Sequence, residues 1–215
     1  MSTEGRVEAP SGGGLLFPLG HYLGAVYPGP DEPLAYHRLR LGDSVVRLFS
    51  DEEFGLWTLA HGLPGDPADQ PWTVAALAET VRRRDGQDVT PVLADLLAEG
   101  ALAEVTPGTE EAVVFARAHR FHSLLTGLGI DPELPDRFLL GLIGQPLAVV
   151  DELSYELWQW APLHANIWDV CRALAEIESE PGGQKVDPHL VLDDVLHRLQ
   201  VLIRAGAGYL DEARS

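Results

Sequence analysis

The chain has 215 residues, 46% of them hydrophobic, enough to bury a sizeable core in one large domain or two small ones. With 33 Asp and Glu against 15 Lys and Arg its net charge is −18, which argues against a protein built to grip nucleic-acid phosphates or to dock on anionic lipid. A single cysteine, Cys171, excludes an intrachain disulfide framework and any multi-cysteine metal site; no apolar run reaches the roughly 18 residues of a membrane span, and the polar start lacks the apolar core of a signal peptide.

Taken in chain order, residues 1–14 read as a disordered, Gly- and Ser-rich leader. Residues 36–41 and 45–49 are short apolar runs broken by Gly42-Asp43, the pattern of a hairpin. Ser50 opens a first helix with acidic residues in its first turn, an apolar face of Phe54, Leu56, Trp57 and Ala60, and Gly62 and Pro64 to stop it. A second helix is expected over 73–84 and a third over 91–99. Gly100 ends the third, and 101–105 reads as a strand. Thr106-Pro107-Gly108 is a turn, from which 112–116 is expected to return as a second strand, forming a wing. His119 and the residues to 128 read as a helical connector.

The order then repeats. Residues 138–143 and 147–150 flank Gly144-Gln145, Asp151 caps a helix, and further helices are expected over 167–177 and 190–205, with the chain ending too soon for a full wing. Phe54, Leu56-Trp57 and Ala60 align with Tyr155, Leu157-Trp158 and Ala161, Trp57 and Trp158 standing 101 positions apart. Upstream, Leu15-Leu16-Phe17 with His21 matches Val113-Val114-Phe115 with His119 at a spacing of 98. The expected fold is α+β, mainly α: two tandem winged helix-turn-helix domains with small antiparallel sheets, over 15–118 and 131–215, joined by a connector at 119–130.

A winged helix either lays its third helix in a DNA groove or offers a sheet edge and that helix to a peptide. The third helix of the first unit carries Asp95 and Glu99 and no Lys or Arg; in the second, Asp193 and Asp194 offset Arg198 and Arg204. A helix entering a groove needs basic or hydrogen-bonding residues on its outer face and an acidic one would be repelled, so a nucleic-acid partner is not expected. Arg82-Arg83-Arg84, the one basic cluster, suits the C-terminal end of a helix.

Leu56-Trp57-Thr58-Leu59-Ala60-His61-Gly62, then Thr73-Val74 with Leu77-Ala78, then Asp88-Val89 with Leu93, Leu96, Leu97, Gly100 and Leu102 resemble the PqqD-like family, the RiPP recognition elements. The resemblance spans residues 36–105. The second unit follows it in Leu157-Trp158, Val170, Leu174-Ala175, Leu199, Leu202-Ile203 and Gly206, and residues 63–71 insert a loop where the family has a tight turn. The resemblance implies a non-catalytic protein that binds the leader of a ribosomally made precursor peptide by strand addition and serves a separate tailoring enzyme. The implied peptide-binding residues are Val45, Val46, Arg47, Leu48, Val92, Asp95, Leu96 and Glu99, and in the second unit Leu147, Val149, Val195, Arg198 and Leu199. The alternatives are a winged-helix transcriptional regulator and an acidic scaffold subunit that forms a homodimer. The expected setting is the cytoplasm, without membrane.

No catalytic constellation is expected, and no metal or cofactor. His119 and His122 share a helix face if that segment is helical, but no third ligand accompanies them. His21 and His119 read as equivalent structural histidines. Cys171 reads as core, and Gly12-Gly13-Gly14 lacks the Lys-Ser/Thr of a phosphate loop. The five tryptophans read as core anchors, with Trp72 and Trp160 available to an interdomain groove.

Overall fold

In a computed structural model, residues 13–63, 70–179 and 185–214 are described; residues 1–12 of the expected leader, Pro64 with most of the inserted loop, residues 180–184 and Ser215 lie outside them. The first half runs β1 (Leu15–Pro18), β2 (His21–Val26), β3 (Tyr36–Leu41), β4 (Ser44–Leu48), α1 (Asp51–Leu59), α2 (Val74–Asp85), α3 (Thr90–Ala98) and β5 (Leu102–Val105). After α4 (Glu110–Ala118) the same order returns: β6 (His119–Ser123), β7 (Thr126–Ile130), β8 (Arg137–Leu142), β9 (Gln145–Asp151), α5 (Glu152–Trp160), α6 (Ile167–Glu178), α7 (Pro188–Arg204) and β10 (Gly208–Glu212). The architecture is α+β. Each half holds a three-stranded antiparallel sheet, β2-β3-β4 or β7-β8-β9, and a two-stranded ribbon, β1-β5 or β6-β10.

The helices start where local chemistry places them. The Ser50 hydroxyl accepts from the Glu53 N–H while the Glu53 carboxylate accepts from the Ser50 N–H, a reciprocal capping box. Asp151 caps α5 through the Ser154 N–H, Thr73 caps α2 through the Ala76 N–H, and Asn166 caps α6 through the Asp169 N–H. Gly100 and Gly206, at φ 72° and 66°, occupy the left-handed region just past α3 and α7, where a side chain would be strained.

Three expectations fail. Residues 112–116 are not a returning wing strand but the body of α4. Thr109 caps it, Glu110 and Glu111 fill its first turn, Arg117 its last, and Ala112, Val113, Phe115 and Ala116 form one buried face at helical spacing. The segment from His119 is not a helical connector but β6 followed by β7. Tyr209 and Leu210 lie in β10, which pairs along the whole of β6. The counterpart of Leu15-Leu16-Phe17 is therefore Arg120-Phe121-His122, not Val113-Val114-Phe115: Leu15 pairs with Val105 as Arg120 pairs with Asp211, and Pro18 with Leu102 as Ser123 with Gly208. His21 and His119 are not equivalent.

The halves interpenetrate through β1. Leu16 points into the first core, among Leu39, Trp57, Leu77, Leu93 and Leu102. Leu15 and Phe17, on the opposite face by the two-residue period of a strand, enter the second core with Phe121, Leu199 and Leu210. There Phe17 stacks on Phe115 at 5.4 Å. The Gln200 side chain of α7, buried between the halves, donates to the carbonyls of Leu16 at 2.9 Å and Trp72 at 2.7 Å and accepts from the Trp72 N–H at 3.1 Å. Trp72 is thus buried at the junction, whereas Trp160 is exposed.

Candidate functional site

The expected peptide contacts divide by side-chain direction. β4 is an edge strand of its sheet. Val45 (49% exposed) and Arg47 face outward, Val46 packs inward, and Leu48 is fully buried. On α3, Asp95 and Glu99 are exposed, Val92 packs against the core and Leu96 is buried in it. β9 is likewise an edge, with Leu147 and Val149 each 52% exposed. Val195 and Leu199, expected on the facing helix wall, are buried in the second core. Leu48, Leu96, Val195 and Leu199 therefore hold the fold rather than offering a surface. α1 packs against both β4 and α3, and α5 against both β9 and α7, so a helix stands beside each edge.

Arg198 is also committed. Its Nη1 donates to Asp151 Oδ1 at 2.8 Å and Ser154 Oγ at 3.3 Å, and its Nε to Asp194 Oδ2 at 2.6 Å. Burial opposes ionisation of Asp151, but the Ser154 N–H and the Arg198 guanidinium outweigh it and hold the carboxyl below the usual range. This network pins α7 to the start of α5. With His197 and Gln70 it lines a cleft of about 280 Å³ between the halves. A second cleft, about 400 Å³, lies on the first half, its floor Leu56, Val81 and Val89 and its rim Asp51, Glu52 and Asp85.

Eight residues of α7, from Val191 to Ile203, are buried, while His189, Asp194 and His197 are exposed. Arg204 at its end donates to the Gln70 carbonyl at 3.0 Å.

Four histidines are held by neighbouring groups. His119 donates to the Phe115 carbonyl at 2.9 Å, and burial lowers its pKa. His122 stacks on Tyr209 at 4.9 Å with Asp211 3.6 Å away; burial and then the Arg120 charge lower its pKa. His197 donates to the Asp193 carbonyl at 2.7 Å, and the His189 ring meets Asp187 at 2.9 Å. Burial pushes the Cys171 thiol up to about 12, so it stays a neutral, unreactive core group. Among the described residues no three His, Cys, Asp or Glu side chains are grouped to hold a metal ion, and no helix is long and apolar enough to cross a membrane.

Two features escaped the sequence. The first is a polar junction where His21 and Arg40 of the first half meet His122, Tyr209 and Asp211 of the second: Arg40 Nη2 donates to Tyr209 Oη at 2.7 Å and Asp211 Oδ2 at 3.3 Å. The second is the divergence of the two sheets' outer faces. Arg38 stands directly opposite Arg47 in the first half, and Leu139 opposite Val149 at the same place in the second. Leu142 and Ile143 (91%) are exposed where β8 turns into β9. No protein-family model, curated protein or solved structure matches the chain.

Proposed function

We propose that the chain is a non-catalytic binding protein that takes an extended peptide as an added strand on the edge of a three-stranded sheet. The observation that carries this reading is the pair of edge strands β4 and β9, whose outward side chains Val45, Arg47, Leu147 and Val149 are exposed while their inward partners fill the cores. An edge strand presents unpaired backbone N–H and C=O groups, which give affinity, and alternate side chains, which give specificity. The order of four strands, three helices and a closing strand in each half supports a tandem winged-helix reading and the resemblance to the PqqD-like family. On that resemblance the peptide is the leader of a ribosomally made precursor, held for a separate tailoring enzyme. The acidic α3 weighs against a DNA-reading role. A second reading, an acidic scaffold subunit held by a larger protein, is favoured by the exposed Leu142, Ile143, Leu147 and Val149, an apolar surface of the kind that protein partners cover.

Titration of isotope-labelled protein with leader peptides encoded beside its gene tests the reading. Chemical shifts should move along β4 or β9. Tight binding of duplex DNA at moderate salt, with shifts confined to the helices, would contradict it.

A further inference from the structure

The repeated element order supplies an internal control for the outer face of the first sheet. Arg38 and Arg47 are a directly opposed cross-strand pair, both exposed. Side chains so placed have Cβ atoms about 5 Å apart, and like charges there repel. Among the described residues neither has a carboxylate within 4 Å, as is also true of Arg117, Arg120 and Arg214, whereas Arg40, Arg82, Arg83, Arg84, Arg137, Arg172 and Arg198 all do. Arg47 instead lies over the Tyr36 ring, 5.1 Å from its centroid. The fold does not require this pair: the second sheet has the same strand order with Leu139 opposite Val149. The fold of a sheet with this strand order is thus compatible with either pair, and the arginines are a feature of the first sheet alone.

The molecule itself shows what this face accepts. Arg40 lies two residues along β3 from Arg38, on the same side of the sheet. It is covered by Tyr209 and Asp211 of β10, whose carboxylate takes its guanidinium. The carboxylate arrives on a strand from another part of the chain. Beyond β4 no described strand follows, and Arg38 and Arg47 stay open.

The geometry points to β4 as the edge that receives the peptide, and to a peptide carrying Asp or Glu flanked two residues away on each side by apolar residues. This inference rests on the strand-addition reading and names its substrate class. A strand laid beside β4 sets alternate side chains opposite Val45, Arg47 and the exposed Phe49. The central one faces Arg47, with Arg38 behind it; a carboxylate there forms a charge-assisted hydrogen bond, and apolar neighbours cover Val45 and Phe49. An extended peptide is favoured over nucleic acid because Arg47 sits on the open strand edge, with Arg38 on the central strand β3 behind it, in a strongly acidic molecule.

The test is selection of random decapeptides on the full chain, followed by affinity measurement with one selected peptide. Selected peptides should carry the apolar-x-acidic-x-apolar pattern. Arg47→Glu should weaken binding about tenfold, Arg38→Glu less, and changing the peptide's acidic residue to Lys should restore affinity for the Arg47→Glu protein. Both arginines are exposed, and circular dichroism checks that the variants fold. Peptides without an acidic preference, or binding lost in Val149→Lys and kept in Arg38→Glu/Arg47→Glu, would overturn the assignment to β4 and leave strand addition standing. Failure to select any peptide, or displacement of the peptide by random duplex DNA, would overturn both.

Discussion

Gln200 does at one position what most of the interface does by packing. Its amide satisfies two carbonyls and one N–H drawn from two segments of the first half, all of them buried. Gln200→Leu keeps most of the volume but strands the Leu16 carbonyl and the Trp72 N–H, at about 1–3 kcal/mol each for a fully desolvated one, while the Trp72 carbonyl keeps its bond from the Leu16 N–H at 2.9 Å. We expect a loss of about 3 kcal/mol in urea denaturation. His61 and His119 act through charge. Burial is the largest cause holding each below the ordinary value of 6.5, so the folded chain binds fewer protons there than the unfolded chain does. Their contribution is fully present above pH 6.5 and is lost as pH falls below it. Stability should drop between pH 7.5 and about 5.5, and the drop should be smaller in His119→Gln, read by denaturant midpoint at each pH. At this scale the sequence was legible where a residue acts on its neighbours. Ser50 and Asp151 cap the helices they were read to cap. It was opaque where side-chain direction decides: Leu48 and Arg47 are adjacent, yet one fills the core and the other meets solvent, and Leu96, Val195 and Leu199 turn inward because their helices are packed on that side.

Among the elements, β1 does most for the assembly. Four residues serve two cores because both faces of the strand are covered. Phe17→Ala should cost about 3–5 kcal/mol, with little relaxation open to a side chain stacked on Phe115 and wholly buried; thermal or urea unfolding would measure it. β4 differs, with one face in the core and one in water, which is why it can accept a further strand. The misread elements share a cause. β6 is a strand because β10, almost ninety residues later, pairs with it, and no local pattern in His119-Arg120-Phe121-His122-Ser123 reveals that partner. α4 differs, since Thr109, Glu110 and Glu111 carry the marks of a helix start, outweighed in the reading by the expectation of a wing after Gly108.

For the molecule as a whole, one element order occurs twice, and the two copies differ on their surfaces. The repeated Leu-Trp and Ala positions revealed the copies because core residues are held by packing. The outer faces, free of that constraint, are cationic in one copy and apolar in the other. The copies are also interdependent: Leu15, Phe17, Leu19 and Val105 of the first half are packed in the second core. The full chain should therefore unfold in one transition, with tryptophan fluorescence and far-ultraviolet circular dichroism coinciding; separate midpoints would indicate halves that stand alone.

The most direct test of strand addition is amide hydrogen exchange of the full chain with and without a selected peptide. The account predicts new protection at the edge amides of β4, residues 44–48, with α3 little changed. Protection that rises on the helices while β4 and β9 exchange as before would contradict it.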